Sequence, residues 1–358
     1  MWIKQKTGVQ DFHRVDRILS RLSRTGRGLC WMLCIAIAGC GGPEADTVTD
    51  PESRNQANSG GGADAGIQIV ATTGMVADIV RVVVGDHGQV TVLVGEGVDP
   101  HLFTAGRNDV AHLLAADMVF YSGLMLEGKM LGDLDQVSRK GKPVVAVTAI
   151  LEKSYLRTPP EFSNHPDPHV WMDVSAWSRC VSAVTDALAG HDPDHKADFQ
   201  RNAVDYRKRL AEIDGYIRES VATIPENRRV LITAHDAFGY FAEAYGLEVR
   251  SIQGISTDSE AAIADITELI AFIVKNRVPS IFVESSVSEK NIRSVIEGCA
   301  AEGFQLEIGG ELFSDAMGAP GTYEGTYIGM MDHNATILVR ALGGEAPENG
   351  WQGKLTAQ

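Results

Sequence analysis

The chain has 358 residues, 44% of them hydrophobic and 22% charged, with a formal net charge of −15. The acidic balance argues against nucleic acid as a partner and is compatible with a cationic ligand, although acidity alone is mostly a solubility feature. The length is enough for two lobes with cores of their own.

Residues 1–28 carry Lys4, Lys6, Arg14, Arg17, Arg21, Arg24 and Arg27 against only Asp11 and Asp16, and the apolar run Leu29 to Ala38 follows, ending at Gly39-Cys40. Ten apolar residues fall short of the about 20 that a permanent membrane helix needs. A basic region, a short apolar core and small residues before a cleavage point read as a secretory signal. Ala38-Gly39-Cys40 resembles the bacterial lipobox, whose cysteine becomes the lipidated first residue of the mature chain; an ordinary signal peptide with a chance cysteine is the plainer alternative. The basic region is unusually long, so the true start is open to lying downstream of Met1. Loss of residues 1–39 removes seven basic and two acidic side chains and leaves about −20. Residues 40–66 hold almost no large apolar side chains, cannot bury enough surface to fold, and are expected to form a flexible tether. The expectation is therefore an extracytoplasmic protein, periplasmic or at the cell surface, membrane-anchored through Cys40. Of the five cysteines, Cys180 and Cys299 remain beyond the signal and Cys40; a disulfide between them is not favoured, and neither is placed to ligate a metal.

From Ile67 onward, strand-like runs alternate with helical stretches: Ile67 to Thr73, Gln89 to Val94, Met118 to Tyr121 and Pro143 to Val147, then Arg229 to Thr233, Glu248 to Ile252, Ser280 to Val283 and Gln305 to Ile308. Such alternation signals βα units and mostly parallel sheets. Between the two sets, Phe199, Ala203, Tyr206, Leu210, Ile213, Ile217 and Val221 recur at steps of three and four, the period of a helix. From His195 to about Thr223 it would run roughly 40 Å, long enough to act as a stiff connector; a coiled-coil interaction helix is the alternative. The expected fold class is α/β: an N-terminal lobe over 67–194, a connecting helix over 195–224 and a C-terminal lobe over 225–342, each lobe a mostly parallel sheet flanked by helices.

His101, His169, His235 and Asp315 are separated by 68, 66 and 80 residues, and each is read as following a β-like run inside a turn-like segment. Ligands of open α/β sheets collect outside the carboxyl ends of strands, so a folded two-lobed body could bring these four together as a site for a first-row divalent metal. A lone histidine is more often structural, and His13, His87, His112, His191, His195 and His333 are left in that class. His165 lies four residues before His169 but lacks the Asp-Pro-His context shared by Asp99-Pro100-His101 and Asp167-Pro168-His169.

Several motifs carry a resemblance. Thr233-Ala234-His235-Asp236-Ala237-Phe238-Gly239-Tyr240-Phe241, Tyr245-Gly246-Leu247-Glu248-Val249 and Gln253-Gly254-Ile255-Ser256-Thr257 resemble the metal-binding receptors of bacterial ABC transporters. So do Asp167-Pro168-His169-Val170-Trp171-Met172-Asp173, Gly123 to Met130 and Gly310 to Gly318. The likeness is to the solute-binding cluster A-I, the TroA type that handles manganese and zinc, over Ile67 to about Leu342. It implies two α/β lobes joined by a long helix, with metal held at their interface by His101, His169, His235 and Asp315. It also implies a membrane permease and its cytoplasmic ATPase as partners, and a monomer. The family usually has Thr or Ser where Gly106 stands, which puts in doubt a local side-chain hydrogen bond. Gly343 to Gln358 has no evident counterpart and is a candidate for disorder.

Imidazole and carboxylate suit Zn(II), Mn(II) or Fe(II). Only His165 stands in Leu151 to Pro168, where many zinc receptors of the family carry a His-rich loop; this favours Mn2+ as cargo, with Zn2+ close behind. Glu284, ending a strand, is the candidate to accept a hydrogen bond from a ligand imidazole. A dedicated zinc-uptake receptor is one alternative. A secreted zinc hydrolase needs an open coordination position and a general base, and no His-Glu-x-x-His pattern is present; no enzyme is expected. A metal-stabilised adhesin is the remaining alternative from another class.

Overall fold

The computed structural model describes residues 66–162 and 165–356, and the expected signal, Cys40 and tether lie outside them. Four parallel strands, β1 (Ile67–Ala71), β2 (Gly88–Val92), β3 (Met118–Tyr121) and β4 (Val144–Ala146), form one sheet in the order β2-β1-β3-β4. Helices α1 (Gly74–Val84), α2 (Arg107–Ala115) and α3 (Leu131–Arg139) connect them, and α4 (Val174–His191) closes this half. The C-terminal half has two parallel pairs. These are β5 (Val230–His235) with β6 (Glu248–Gln253), and β7 (Ser280–Glu284) with β8 (Glu307–Leu312). β5 runs beside β7, and helices α6 (Gly239–Tyr245), α7 (Ile263–Asn276), α8 (Lys290–Ala301) and α9 (Tyr327–Ala341) complete the half. Crossover helices on parallel strands are what the alternating pattern required.

The connector is α5, Lys196–Ala222, 27 residues long and so about 40 Å. Its buried stripe is Phe199, Ala203, Tyr206, Leu210, Ile213, Ile217 and Val221. The stripe faces α1 and α4 on one side and α6 and α9 on the other. Each large side chain buried this way contributes about 1.5–3 kcal/mol, so α5 is fastened to both halves along its length. One hydrophobic core accordingly runs from β1 and α1 through α4 and α5 into α6 and α9. Satellite cores lie beneath α7 and α8 and beneath α2 and α3.

Three details differ from the sequence reading. The last strand extends from Glu307 to Leu312 through Gly309 and Gly310, with a register shift opposite Ile281 and Phe282. A Cβ at Gly309 would lie 2.8 Å from the Phe282 ring and 2.9 Å from Ala341 Cβ, so these glycines permit close approach within a strand and do not end it. No strand directly precedes His169: after β4 the chain makes short 3-10 turns at Val147–Ile150, Lys153–Tyr155 and Pro160–Phe162. The segment after Gly343 is also ordered on the surface. Trp351 stacks on Tyr216 with centroids 6.2 Å apart, its backbone N–H donates to Asp332 Oδ1 at 2.9 Å, and Leu355 is buried.

Cys180 and Cys299 are both free and buried. Among the described residues no helix is long and apolar enough to cross a membrane.

Candidate metal centre

His101 lies in the loop after β2, His235 is the last residue of β5, and Asp315 follows β8 by three residues. His169 opens the 3-10 turn Val170–Met172, which leads into α4 capped by Asp173: its carboxylate accepts from Ser175 N–H and Ala176 N–H. Loops of the N-terminal half and strand ends of the C-terminal half therefore meet at one spot. One ligand-capable atom from each of the four lies within 4.8 Å of the others. His101 Nε2 and His169 Nε2 are 3.2 Å apart. Asp315 Oδ1 is 3.4 Å from His169 Nε2, and its Oδ2 is 3.2 Å from His235 Nε2 and 3.8 Å from His101 Nε2. All four residues are buried.

The imidazoles are held from behind. His169 Nδ1 is 2.8 Å from Asp167 Oδ1, and His235 Nδ1 is 2.6 Å from Glu284 Oε2. Glu284 Oε1 also accepts the His235 backbone N–H at 2.9 Å. A carboxylate at Nδ1 assigns the proton there and turns the Nε2 lone pair into the cluster. Two lone pairs 3.2 Å apart repel unless something positive lies between them, and buried His235 Nε2, Asp315 Oδ1 and Asp315 Oδ2 have no hydrogen-bond partner. Buried polar atoms left unpaired are costly. A proton or a metal cation would relieve them.

The protonation equilibria express the same competition. Burial lowers the His101 imidazole to about 3, the nearby Asp315 charge only partly opposing it. Burial would lower His169 too, but Asp167 and Asp315 outweigh it and raise this imidazole to about 9. His235 is raised despite burial by Glu284 and Asp315. Asp315 is held well below the usual carboxylate range, the effect of burial being overcome by His235 and His169. Four buried donors, three nitrogen and one carboxylate, suit a first-row divalent ion. Tetrahedral donors about 2.05 Å from zinc stand about 3.3 Å from one another, close to the shorter spacings found here.

His165 is exposed and stands apart, its ring 6.0 Å from that of Phe162. His87 and His195 stack on each other, and His333 Nε2 lies 3.0 Å from the Glu311 carbonyl. At Gly106, which has no side chain to cap α2, Asp109 Oδ2 accepts the Gly106 N–H at 2.8 Å. Sequence reasoning missed the role of Asp167; the signal was its place two residues before His169, repeated by Asp99 before His101.

Residues 69–341 match the family described as zinc-uptake complex component A, periplasmic (ZnuA). The manganese-binding lipoprotein MntA of Bacillus subtilis (strain 168) is 41% identical over 307 residues, 86% of this chain and 95% of that protein. The zinc-binding protein TroA of Treponema pallidum (strain Nichols) is 45% identical over 280 residues, 78% of this chain and 90% of that one. The solved periplasmic zinc-binding protein TroA from Treponema pallidum superposes with a TM-score of 0.75 at 44% identity, covering 77% of this chain and 99% of its own. With two α/β halves, a long connector and a match across residues 69–341, the chain belongs to the ZnuA family of metal solute-binding proteins, the cluster A-I that its motifs resemble.

Proposed function

We propose that this protein captures a divalent transition metal outside the cytoplasm and delivers it to an ABC permease, powered by a cytoplasmic ATPase, for import. His101, His169, His235 and Asp315 are the ligands in this reading, and Glu284 orients His235. The observation that carries it is the buried group of four donors, each offering a ligand atom within 4.8 Å of the others, with His235 Nε2 and both Asp315 oxygens uncommitted to any other hydrogen bond. The family is one of binding components of transporters and not of enzymes. Lipid attachment at Cys40, a monomeric state, and lobes bounded at 67–194 and 225–342 about a connector over 195–224 complete the proposal.

Mn2+ is the favoured cargo and Zn2+ a close competitor. Both Asp315 oxygens face the cluster and neither is committed to another partner, which supports a carboxylate able to bind through two oxygens, as the larger ion prefers. The identity to a protein named as zinc-binding and the higher intrinsic affinity of zinc for such donors keep zinc in the reading. Titrating chelator-stripped protein with each ion, alone and in competition, tests this. One ion per chain is expected, and a protein that takes up neither would refute the proposal.

Acid should weaken capture. A metal needs both Nε2 lone pairs of His169 and His235, and in the metal-free state these imidazoles hold protons to above neutral pH. Each proton displaced on binding costs about tenfold in apparent affinity per pH unit below its pKa. His101, at about 3, adds nothing until the solution is strongly acidic. A fall of at least about 100-fold from pH 7 to pH 5 is expected; constant affinity over that range would remove the histidines from the site.

A further inference from the structure

The tripeptide Asp-Pro-His occurs twice, at Asp99-Pro100-His101 and Asp167-Pro168-His169, and in both copies the carboxylate faces two ways. Asp99 Oδ1 accepts the His101 backbone N–H at 2.8 Å, while its Oδ2 accepts the Thr257 hydroxyl at 2.5 Å. Asp167 Oδ1 accepts the His169 backbone N–H at 3.0 Å and stands at its Nδ1; its Oδ2 accepts Arg157 Nη1–H at 2.6 Å. Arg157 then reaches across to α6. Its Nε–H donates to Glu243 Oε1 at 2.6 Å and its backbone N–H to the Tyr240 hydroxyl at 3.0 Å. The Tyr240 hydroxyl in turn donates to the Asp167 carbonyl at 3.1 Å. Space is reserved for this reach: a Cβ at Gly239 would lie 1.4 Å from Arg157 Nη1. Thr257, Tyr240 and Glu243 belong to the C-terminal half, and the two histidines to the N-terminal half.

The Asp99–Thr257 and Arg157–Glu243 contacts lie at the edge of the shared core, of which Tyr240 is a member. Where α4, α5, α6 and α9 meet, the halves are joined by continuous apolar packing that cannot part without exposing it. Between Asp99 and Thr257 and between Arg157 and Glu243 the halves are joined by polar contacts, which exchange readily for water. Separation of the halves is therefore cheapest there.

We infer that Asp99 and Asp167 are positioning residues that couple metal occupancy to closure of the two halves, Asp99 directly through Thr257 and Asp167 through Arg157 to Glu243, and that these latches set the rate of metal release. A bound ion fixes His101 and His169, and each histidine fixes its aspartate, so that Asp99 Oδ2 is presented to Thr257 of the other half and Asp167 Oδ2 to Arg157, which carries the contact on to Glu243. When the halves separate, Asp99 loses Thr257, while Asp167 loses Tyr240 at its carbonyl and its partner Arg157 loses Glu243, so the ligand each aspartate holds is freed to turn away. The inference rests on the receptor reading above.

The test uses the intact chain loaded with Mn2+ or Zn2+ and mixed rapidly with excess chelator to read the dissociation rate. Thr257→Val and Glu243→Gln each remove the far side of one latch and touch no ligand. Each should raise the rate several-fold, and together by about 10-fold, the low end of the range seen when direct partners of metal ligands are lost. The association rate and the melting midpoint of the metal-free protein should stay unchanged, and Glu243→Asp should restore most of the lost retention. Lys129→Gln is the control, because the exposed Lys129–Asp258 pair, at 2.8 Å, also crosses between the halves but contacts no ligand residue. It should leave the rate within about twofold. A double variant within twofold of wild type would overturn the inference. So would an equal effect from Lys129→Gln, or a rise that merely tracks a lower metal-free midpoint. A wild-type protein that binds neither ion would instead overturn the receptor reading itself.

Discussion

Replacing Asp315 with asparagine is expected to abolish tight binding of Mn2+ and Zn2+ while leaving the fold intact. Asp315 is the only anionic donor among the four converging residues. Its two oxygens stand 3.2–3.8 Å from the three Nε2 atoms. Asparagine keeps the volume and one acceptor oxygen, so packing survives, but the charge that offsets the ion's desolvation is gone and an NH2 group faces the cluster. Losing a partner one step removed from a metal costs about 10- to 100-fold, so losing a donor should cost about 1,000-fold or more. Heat provides a clean reading. Ligand at 1,000 times its dissociation constant stabilises the folded state by about 4.1 kcal/mol, which for a protein of this size raises the melting midpoint by on the order of 10 °C. The same metal concentration should move the Asp315→Asn midpoint by less than about 1 °C. If the variant bound either ion within tenfold of wild type, Asp315 would not be a ligand.

How much of this could be read from the chain depended on whether the signal was local. The connector was legible because its buried stripe repeats every three or four residues. The parallel strands were legible because their runs alternate with helices. His235 and Asp315 stood out because each closes or follows an apolar run inside a specific motif. The last strand was cut short because Gly309 and Gly310 look like a turn; the need for glycine comes from Phe282 and Ile337, which lie far away in sequence. The segment after Gly343 was a candidate for disorder because it has no counterpart in the family it resembles, yet Trp351 and Leu355 suffice to dock it on Tyr216, Asp332 and neighbouring groups. Asp167 was visible as part of a motif, but its partner Arg157 and the reach of Arg157 to Glu243, 86 residues on, are facts of tertiary packing. The same holds for Asp99 and Thr257, 158 residues apart.

The largest expected loss of stability comes from a residue that touches none of the four donors. Glu127 is buried at the carboxyl end of the N-terminal sheet. Its Oε1 accepts from the Thr72 hydroxyl and from Ser122 N–H, each at 2.7 Å, and its Oε2 accepts from Gly123 N–H at 3.1 Å. That one carboxylate ties the end of β1 to a loop whose backbone turns left-handed at three consecutive positions, Gly123 at φ 95°, Leu124 at φ 55° and Met125 at φ 71°. Left-handed backbone costs a non-glycine residue about 1–2 kcal/mol and persists only where neighbouring bonds fix it. Gly123 is required twice over, since a Cβ there would also lie 2.8 Å from Thr148 Oγ1. Glu127→Ala leaves three donors without their acceptor and releases the strained turn, so unfolding free energy should fall by roughly 3–4 kcal/mol. Glutamine can serve Thr72 and Ser122 through its oxygen but opposes Gly123 N–H with an amide, and should cost about half as much. In urea, the midpoint should drop with an unchanged slope. Metal affinity should change less than tenfold, because Thr72, Ser122 and Gly123 hold none of the converging donors. A Glu127→Ala protein as stable as wild type would mean that the left-handed turn is held by packing alone; one that lost metal at full stability would place Glu127 in the site. Asp315 and Glu127, two buried carboxylates in one protein, should thus fail in opposite ways, the first losing the ion and keeping the fold, the second weakening the fold and keeping the ion.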